Sequence, residues 1–169
     1  HLFNQLNIPA ENVHLPDGLA SNIDTACQAY SNAIEAKGGL DLQLLGIGSN
    51  GHIGFNEPHT SFNSRTHIVE LSEQTRIDNG RFFDDQNEVP THAITMGIQD
   101  ILNAKEIILV ATGSNKSAII AQLFASAIDE ALPASALKQH KNLTIVLDRD
   151  AAALLPEPAL QNAISTLTA

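Results

Sequence analysis

The stretch Glu106–Leu132, "EIILVATGSNKSAIIAQLFASAIDEAL", decides the fold. Ile107 to Ala111 form a near-continuous apolar run, the kind a parallel sheet buries on both faces. Thr112-Gly113-Ser114 then breaks the run. Beyond it, Ile119, Ile120, Leu123, Phe124, Ala127 and Ile128 share one broad face at helical spacing, which predicts a helix through that span. Strand, tight turn and helix in succession are the beginning of a βαβ unit.

The same alternation extends in both directions. "SNIDTACQAYSNAIEA", Ser21–Ala36, places Ile23, Cys27, Tyr30 and Ile34 at helical spacing. Ser21 with Asp24 resembles a capping box, and Lys37 with two glycines ends the helix. Strands are expected in "LDLQLLGIG", "RTHIVEL", the start of "HAITMGIQDIL", and "NLTIVLD"; "EQTRIDNGRFF" reads as a helix. The tail from Asp150 reads as a helical turn and a surface segment interrupted by Pro156 and Pro158. The implied fold is a three-layer α/β/α domain on a mostly parallel, Rossmann-like open sheet. Such sheets gather ligands where strands end.

Composition narrows the functional classes. Nine Lys and Arg against 19 Asp and Glu give a net charge of −10. A phosphate backbone needs a basic surface, so nucleic acid is not an expected partner. The sequence has no eighteen-residue apolar run and predicts no membrane span. The single cysteine, Cys27, fits a reducing, cytoplasmic setting and reads as a small core residue. The chain opens at His1 with "HLFNQLNIPAENV", which resembles a helix tail and turn from inside a longer polypeptide.

Two loops carry chemistry. In "ATGSNKSA", Gly113 and Ser114 precede a helix and Lys116 adds a positive charge. Free amides at a helix start attract anions, so this loop reads either as a phosphate cradle or as an ordinary capped helix with a surface lysine. It lacks the P-loop spacing. In "LGIGSNGHIGFNEP", Leu45–Pro58, Gly46, Gly48 and Gly51 match a dinucleotide spacing, but "HIGFNEP" does not continue as a helix. The glycines instead allow a sharp loop exposing Asn50, His52 and Glu57. Histidine can take and return a proton near neutrality, a carboxylate can hold its charged form, and an amide offers both donor and acceptor. The set suits proton transfer on a sugar-like substrate; a histidine satisfied by loop carbonyls is the alternative. His52, Glu57 and His59 lack helical ligand spacing, so no metal is expected. Gly-Ser-Asn-Gly is not a nucleophile elbow.

"GIGSNGHIGFNEP", then "SRT", "TR…NGRFF", "VP…AITMGI" and "TGSNK", in order along the chain, closely resembles the glucosamine-6-phosphate deaminase family. The sister family, 6-phosphogluconolactonase, shares the Gly-His core but follows it differently. The resemblance implies deaminating isomerisation of glucosamine 6-phosphate to fructose 6-phosphate and ammonia, with no metal or organic cofactor. It implies His52 as the ring-opening base, Glu57 as its assisting carboxylate, and Asn50 where many members carry Asp. Arg81 and Lys116 match the phosphate-binding side chains, with Gly113 and Ser114 beside them. His67 and Val69 replace basic residues of an allosteric site, so activation by N-acetylglucosamine 6-phosphate is not expected. The enzyme class expected is a hydrolase of amino-sugar catabolism and N-acetylglucosamine utilisation, acting on a small sugar phosphate in the cytoplasm. A homo-oligomer is among the states the family allows. A lactonase-type hydrolase and a catalytically dead sugar-phosphate sensor are the alternatives. Residues 1–169 would be the C-terminal portion of a single domain, lacking the family's Thr-Gly-Ser phosphate loop and the Asp that removes the C2 proton. These 169 residues alone are expected to be inactive. His52, Glu57, Arg81 and Lys116 are expected to line one pocket.

Overall fold

The computed structural model describes residues 5–157 and 159. Three strands form a parallel sheet in the order β1-β4-β5: β1 Leu42–Leu45, β4 Glu106–Ala111 and β5 Leu143–Leu147. Leu45 registers with Leu109, and Leu109 with Ile145. On one face Leu45, Ile107, Leu109 and Ala111 are buried. They pack against α3 (Ile98–Leu102), α4 (Ser117–Ala125) and the 3-10 segment Pro133–Gln139, forming one core with Ile101, Ile119, Ile120, Leu123 and Leu137. Among the described residues the opposite face stays open: Leu44 is 64% exposed and Val146 47%. Strand β4 is therefore covered fully on one side only.

Two further strands, β2 His67–Glu70 and β3 His92–Thr95, pair with each other and run antiparallel. The sequence does not reveal that direction. The pair forms a separate ribbon, joined by α2 (Glu73–Asn79) and the 3-10 turn Gly80–Phe82.

Helix α1 spans Ile23–Ala36 with Cys27 buried. Its cap is Asn22, whose side chain accepts the Thr25 N–H at 2.9 Å, one residue later than the Ser21–Asp24 reading. Helix α4 stops at Ala125, short of the expected Ile128, and Phe124 and Ile128 are 43% and 46% exposed. Tertiary anchoring overrides the local pattern. Leu132 is buried, the Ala134 N–H donates to the Gly51 carbonyl at 2.9 Å, and Lys138 Nζ donates to the last carbonyls of α4. Towards the ends of the described residues, a 3-10 turn at Ala10–Asn12 and the turn over 151–155 bear on the expectations. Residues 1–4, and with them most of the expected helix tail, lie outside the described residues, as do Pro158 and 160–169 of the expected surface segment. Among the described residues no helix is long and apolar enough to cross a membrane.

A buried acid ties α1, β2 and α3 together. Asp100, 7% exposed, accepts from Ser31 Oγ (2.9 Å), Thr66 N (2.6 Å), Thr66 Oγ1 (2.9 Å) and Arg65 Nε. Arg65 also meets Glu35 on α1 at 2.6 Å. Asp100→Ala strands the Thr66 amide and two hydroxyls without acceptors. A loss of about 1–3 kcal/mol in unfolding free energy by chemical denaturation is expected; an unchanged midpoint would show the network is not structural.

Candidate active site

The loop after β1 folds on itself through short hydrogen bonds. Gly48 N–H donates to the His52 carbonyl at 2.9 Å, and Gly51 N–H to the Gly48 carbonyl at 3.0 Å. Gly51 takes φ +85°, a conformation that L side chains rarely adopt, with Leu132 packed where a Cβ would stand. Asn56, fully buried, donates to the carbonyls of Ile53 (2.9 Å) and Met96 (2.8 Å). Phe55 N–H donates to Thr95 Oγ1 at 3.0 Å. The β2–β3 ribbon thus braces the loop from the far side.

This geometry brings Asn50, His52 and Glu57 together. Glu57 Oε2 accepts from Asn50 Nδ2 at 2.6 Å, and Asn50 Oδ1 lies 2.8 Å from His52 Nδ1. A carboxylate only accepts, so the amide nitrogen of Asn50 must face Glu57 and its oxygen must face His52. The oxygen then requires a proton on Nδ1, which leaves Nε2 as the free base. Glu57 Oε2 itself is 3.9 Å from Nδ1, so the asparagine stands between acid and base. The side chains of His52 and Glu57 are only 15% and 14% exposed.

Electrostatics follow from that placement. Burial holds the His52 pKa below histidine's usual 6.5; the Glu57 charge opposes the shift, and Lys116 adds to it. Burial works to raise the Glu57 pKa, but donors from Thr75, Asn50 and Ser72, with the His52 charge, outweigh it and hold the carboxyl below its usual range.

The expected phosphate residues are placed less uniformly. Lys116, at the start of α4, donates from Nζ to the Ile47 carbonyl at 2.8 Å, so the ammonium lies across the same loop as His52. Gly113 has φ +89°, and its N–H is donated to Asp148 Oδ2 at 2.9 Å. That amide is spent on a protein carboxylate rather than free for an anion. Ser114 begins the short 3-10 turn and is exposed. Arg81 lies on the segment after α2 with its guanidinium over the Phe82 ring, 4.8 Å from the centroid. The structure therefore brings Lys116 to the loop that carries the triad, and gives Arg81 its contact on Phe82. His59 is exposed at φ 72°, and among the described residues no three His, Cys, Asp or Glu side chains form a metal-holding group.

Sequence reasoning missed Ser72 and Thr75, which both reach Glu57 from the first turn of α2, and Asp148, which holds Gly113. Ser72 followed by Thr75 carries a helix-start signal, and nothing in that signal points to Glu57.

Comparison with known proteins gives this geometry a family. The family described as glucosamine-6-phosphate isomerases/6-phosphogluconolactonase matches residues 1–146. The chain belongs to that family. It is 54% identical over 150 residues to a glucosamine-6-phosphate deaminase of Halalkalibacterium halodurans, covering 89% of this chain and 61% of that protein. It is 56% identical over 146 residues to the deaminase of Lysinibacillus sphaericus, covering 86% and 62%. The solved structure of a monomeric glucosamine-6-phosphate deaminase superposes with a TM-score of 0.82 at 48% identity, covering 83% of this chain and 58% of that one. A 6-phosphogluconolactonase from Thermotoga maritima, 21% identical with a TM-score of 0.66, covers 86% and 60% and shares the fold. The α/β/α architecture expected from the sequence is thus the family's. The chain spans about three-fifths of the length of the curated relatives it matches. Those relatives are deaminases in an isomerase family, which overturns the expectation of a hydrolase.

Proposed function

We propose that the polypeptide carrying this chain is a glucosamine-6-phosphate deaminase, converting glucosamine 6-phosphate to fructose 6-phosphate and ammonia. The observation that carries the reading is the Asn50 bridge, which sets His52 with Nε2 free. Nε2 takes the proton of the C1 hydroxyl, and the resulting imidazolium returns it to the ring oxygen as the C1–O5 bond breaks. The sugar opens to its aldehyde with the proton conserved. The Glu57 charge, passed through the Asn50 amide, favours the transient imidazolium. Lys116 supplies one cation for the substrate phosphate, and Arg81, matched to it by the family resemblance, is the second. Gly113 and Ser114 flank that anion position, with Asp148 as a competitor for the Gly113 amide.

The later steps need more than this cluster holds. Moving a proton from C2 to C1 requires a second base, and the Glu57 carboxylate is occupied by three donors. The family resemblance assigns that step to an Asp outside these residues. We therefore read residues 1–169 as the C-terminal portion of a single domain, inactive alone. The open sheet face and the greater length of the relatives support this. The buried free thiol of Cys27 suits a reducing cytoplasm.

The test is direct. The intact polypeptide is incubated with glucosamine 6-phosphate, and ammonia and fructose 6-phosphate are measured. Equimolar release of both is expected. Hydrolysis of 6-phosphogluconolactone with no ammonia from the amino sugar would overturn the reading.

A further inference from the structure

Among the described residues, Glu57 Oε1 receives its side-chain hydrogen bonds from Thr75, in the first turn of α2, and from Ser72, the N-cap of that helix. Thr75 Oγ1 donates to it, and Ser72 Oγ lies at 3.1 Å. Ser72 also caps the helix by accepting the Thr75 N–H at 3.1 Å. We propose that Thr75, seconded by Ser72, is a positioning residue for the ring-opening base: it clamps Glu57, which orients Asn50, which fixes the tautomer of His52. The inference rests on the reading of His52 as that base.

The residue type at position 75 is the first argument. Helix start at α2 is already served by the Ser72 cap, and threonine is a middling helix former at an interior position. Thr75 is nonetheless only 2% exposed, and its hydroxyl has the Glu57 carboxylate and Ser72 Oγ as neighbours. Valine has nearly the same shape and would fill the site without any polar atom. A buried hydroxyl costs free energy unless it is bonded, so this one belongs to the carboxylate.

Proton counting is the second argument. Ser72 has one hydroxyl proton and two acceptors within reach, Glu57 Oε1 and Thr75 Oγ1 at 2.9 Å. Whichever it serves, Thr75 still donates to Oε1. Thr75 is thus the constant donor and Ser72 the variable one. With Oε1 held, Oε2 is aimed at Asn50 Nδ2, and the Asn50 amide cannot turn over without placing its oxygen against a carboxylate. Without the Thr75 hydroxyl the carboxylate can turn away from Asn50 Nδ2, which leaves only the 3.2 Å bond from the His52 N–H to hold the Asn50 oxygen; the amide can then flip and His52 can carry its proton on Nε2. In that tautomer the base is blocked. The donors also keep Glu57 ionised, so their loss raises its pKa in the same direction as losing function at mildly acid pH.

The experiment uses the intact polypeptide and reads two signals. Ring-nitrogen NMR of His52 reports the tautomer, and ammonia release reports kcat and KM. For Thr75→Val, kcat falls about 10- to 100-fold with KM near wild type. The Nδ1–H signature becomes a mixture, and the acid limb of kcat moves to higher pH. Thr75→Ser restores all three. Thr75→Ala removes the same hydroxyl without the branch and serves where valine does not fold, as judged by thermal melting. Wild-type kcat and tautomer in Thr75→Val, or equal damage in Thr75→Ser, overturns the proposal. Failure of the deaminase reading shows separately, as no ammonia from wild type, while the tautomer comparison still decides this one.

Discussion

His52→Ala in the intact polypeptide is expected to lower kcat for glucosamine 6-phosphate about 100- to 10,000-fold, the range of a positioned general acid–base group. KM should change little, because the proposed mechanism assigns the phosphate of the substrate to cations rather than to the imidazole. Thermal stability should fall little, since the Gly48–His52 backbone bond stays in place and the His52 N–H still donates to the Asn50 oxygen. The pH profile gives the sign test. The working form is neutral, and burial lowers the His52 pKa, so activity persists below the pH where a free histidine would protonate and falls on the acid side of 6.5. Glu57→Gln removes the charge that opposes this shift, and the His52 limb should move to still lower pH while the rate falls. A limb moving upward would show that Glu57 does not act on His52. Wild-type turnover in His52→Ala would end the mechanism.

What the sequence made legible is what acts over short distances along the chain. Strand β4 and the start of α4 follow from apolar runs and 3.6-residue spacing read within a dozen residues. Asn50, His52 and Glu57 are legible for the same reason, since one loop of eight positions carries all three. The antiparallel pairing of β2 and β3 was not, because the direction of a short strand is set by a partner across a connection of 21 residues. The early end of α4 depends on the Gly51–Ala134 bond and the seat of Leu132, neither of which leaves a trace in local periodicity. The Gly113 amide looked free from its neighbours alone; Asp148, 35 positions on, takes it. The stacking of Arg81 on Phe82 was not legible, because it depends on how the segment after α2 lies.

Gly48→Ala is expected to reduce turnover nearly as far as deleting the histidine, at least about 100-fold, although it touches no substrate. A Cβ at position 48 would stand 2.2 Å from His52 Cε1, 2.3 Å from Nδ1 and 2.5 Å from Nε2. Real carbon atoms do not approach that closely, so either backbone or ring must move. The backbone is the stiffer party. It is fixed by the Gly48–His52 and Gly51–Gly48 bonds, while the ring is free to turn about its two side-chain torsions. The imidazole therefore leaves, breaking its 2.8 Å contact with Asn50 and losing the tautomer control argued above. Because Gly48 does not sit at positive φ, alanine adds no backbone strain, and the melting temperature should stay close to wild type. Gly46→Ala is the matched control: a Cβ there meets nothing within 4 Å, and activity should be retained. Measured kcat and melting temperatures for the pair separate the two causes of loss. If Gly48→Ala keeps a near wild-type rate, the imidazole works from a rotamer other than the one packed over Gly48, and the Asn50 bridge is not what prepares it for catalysis.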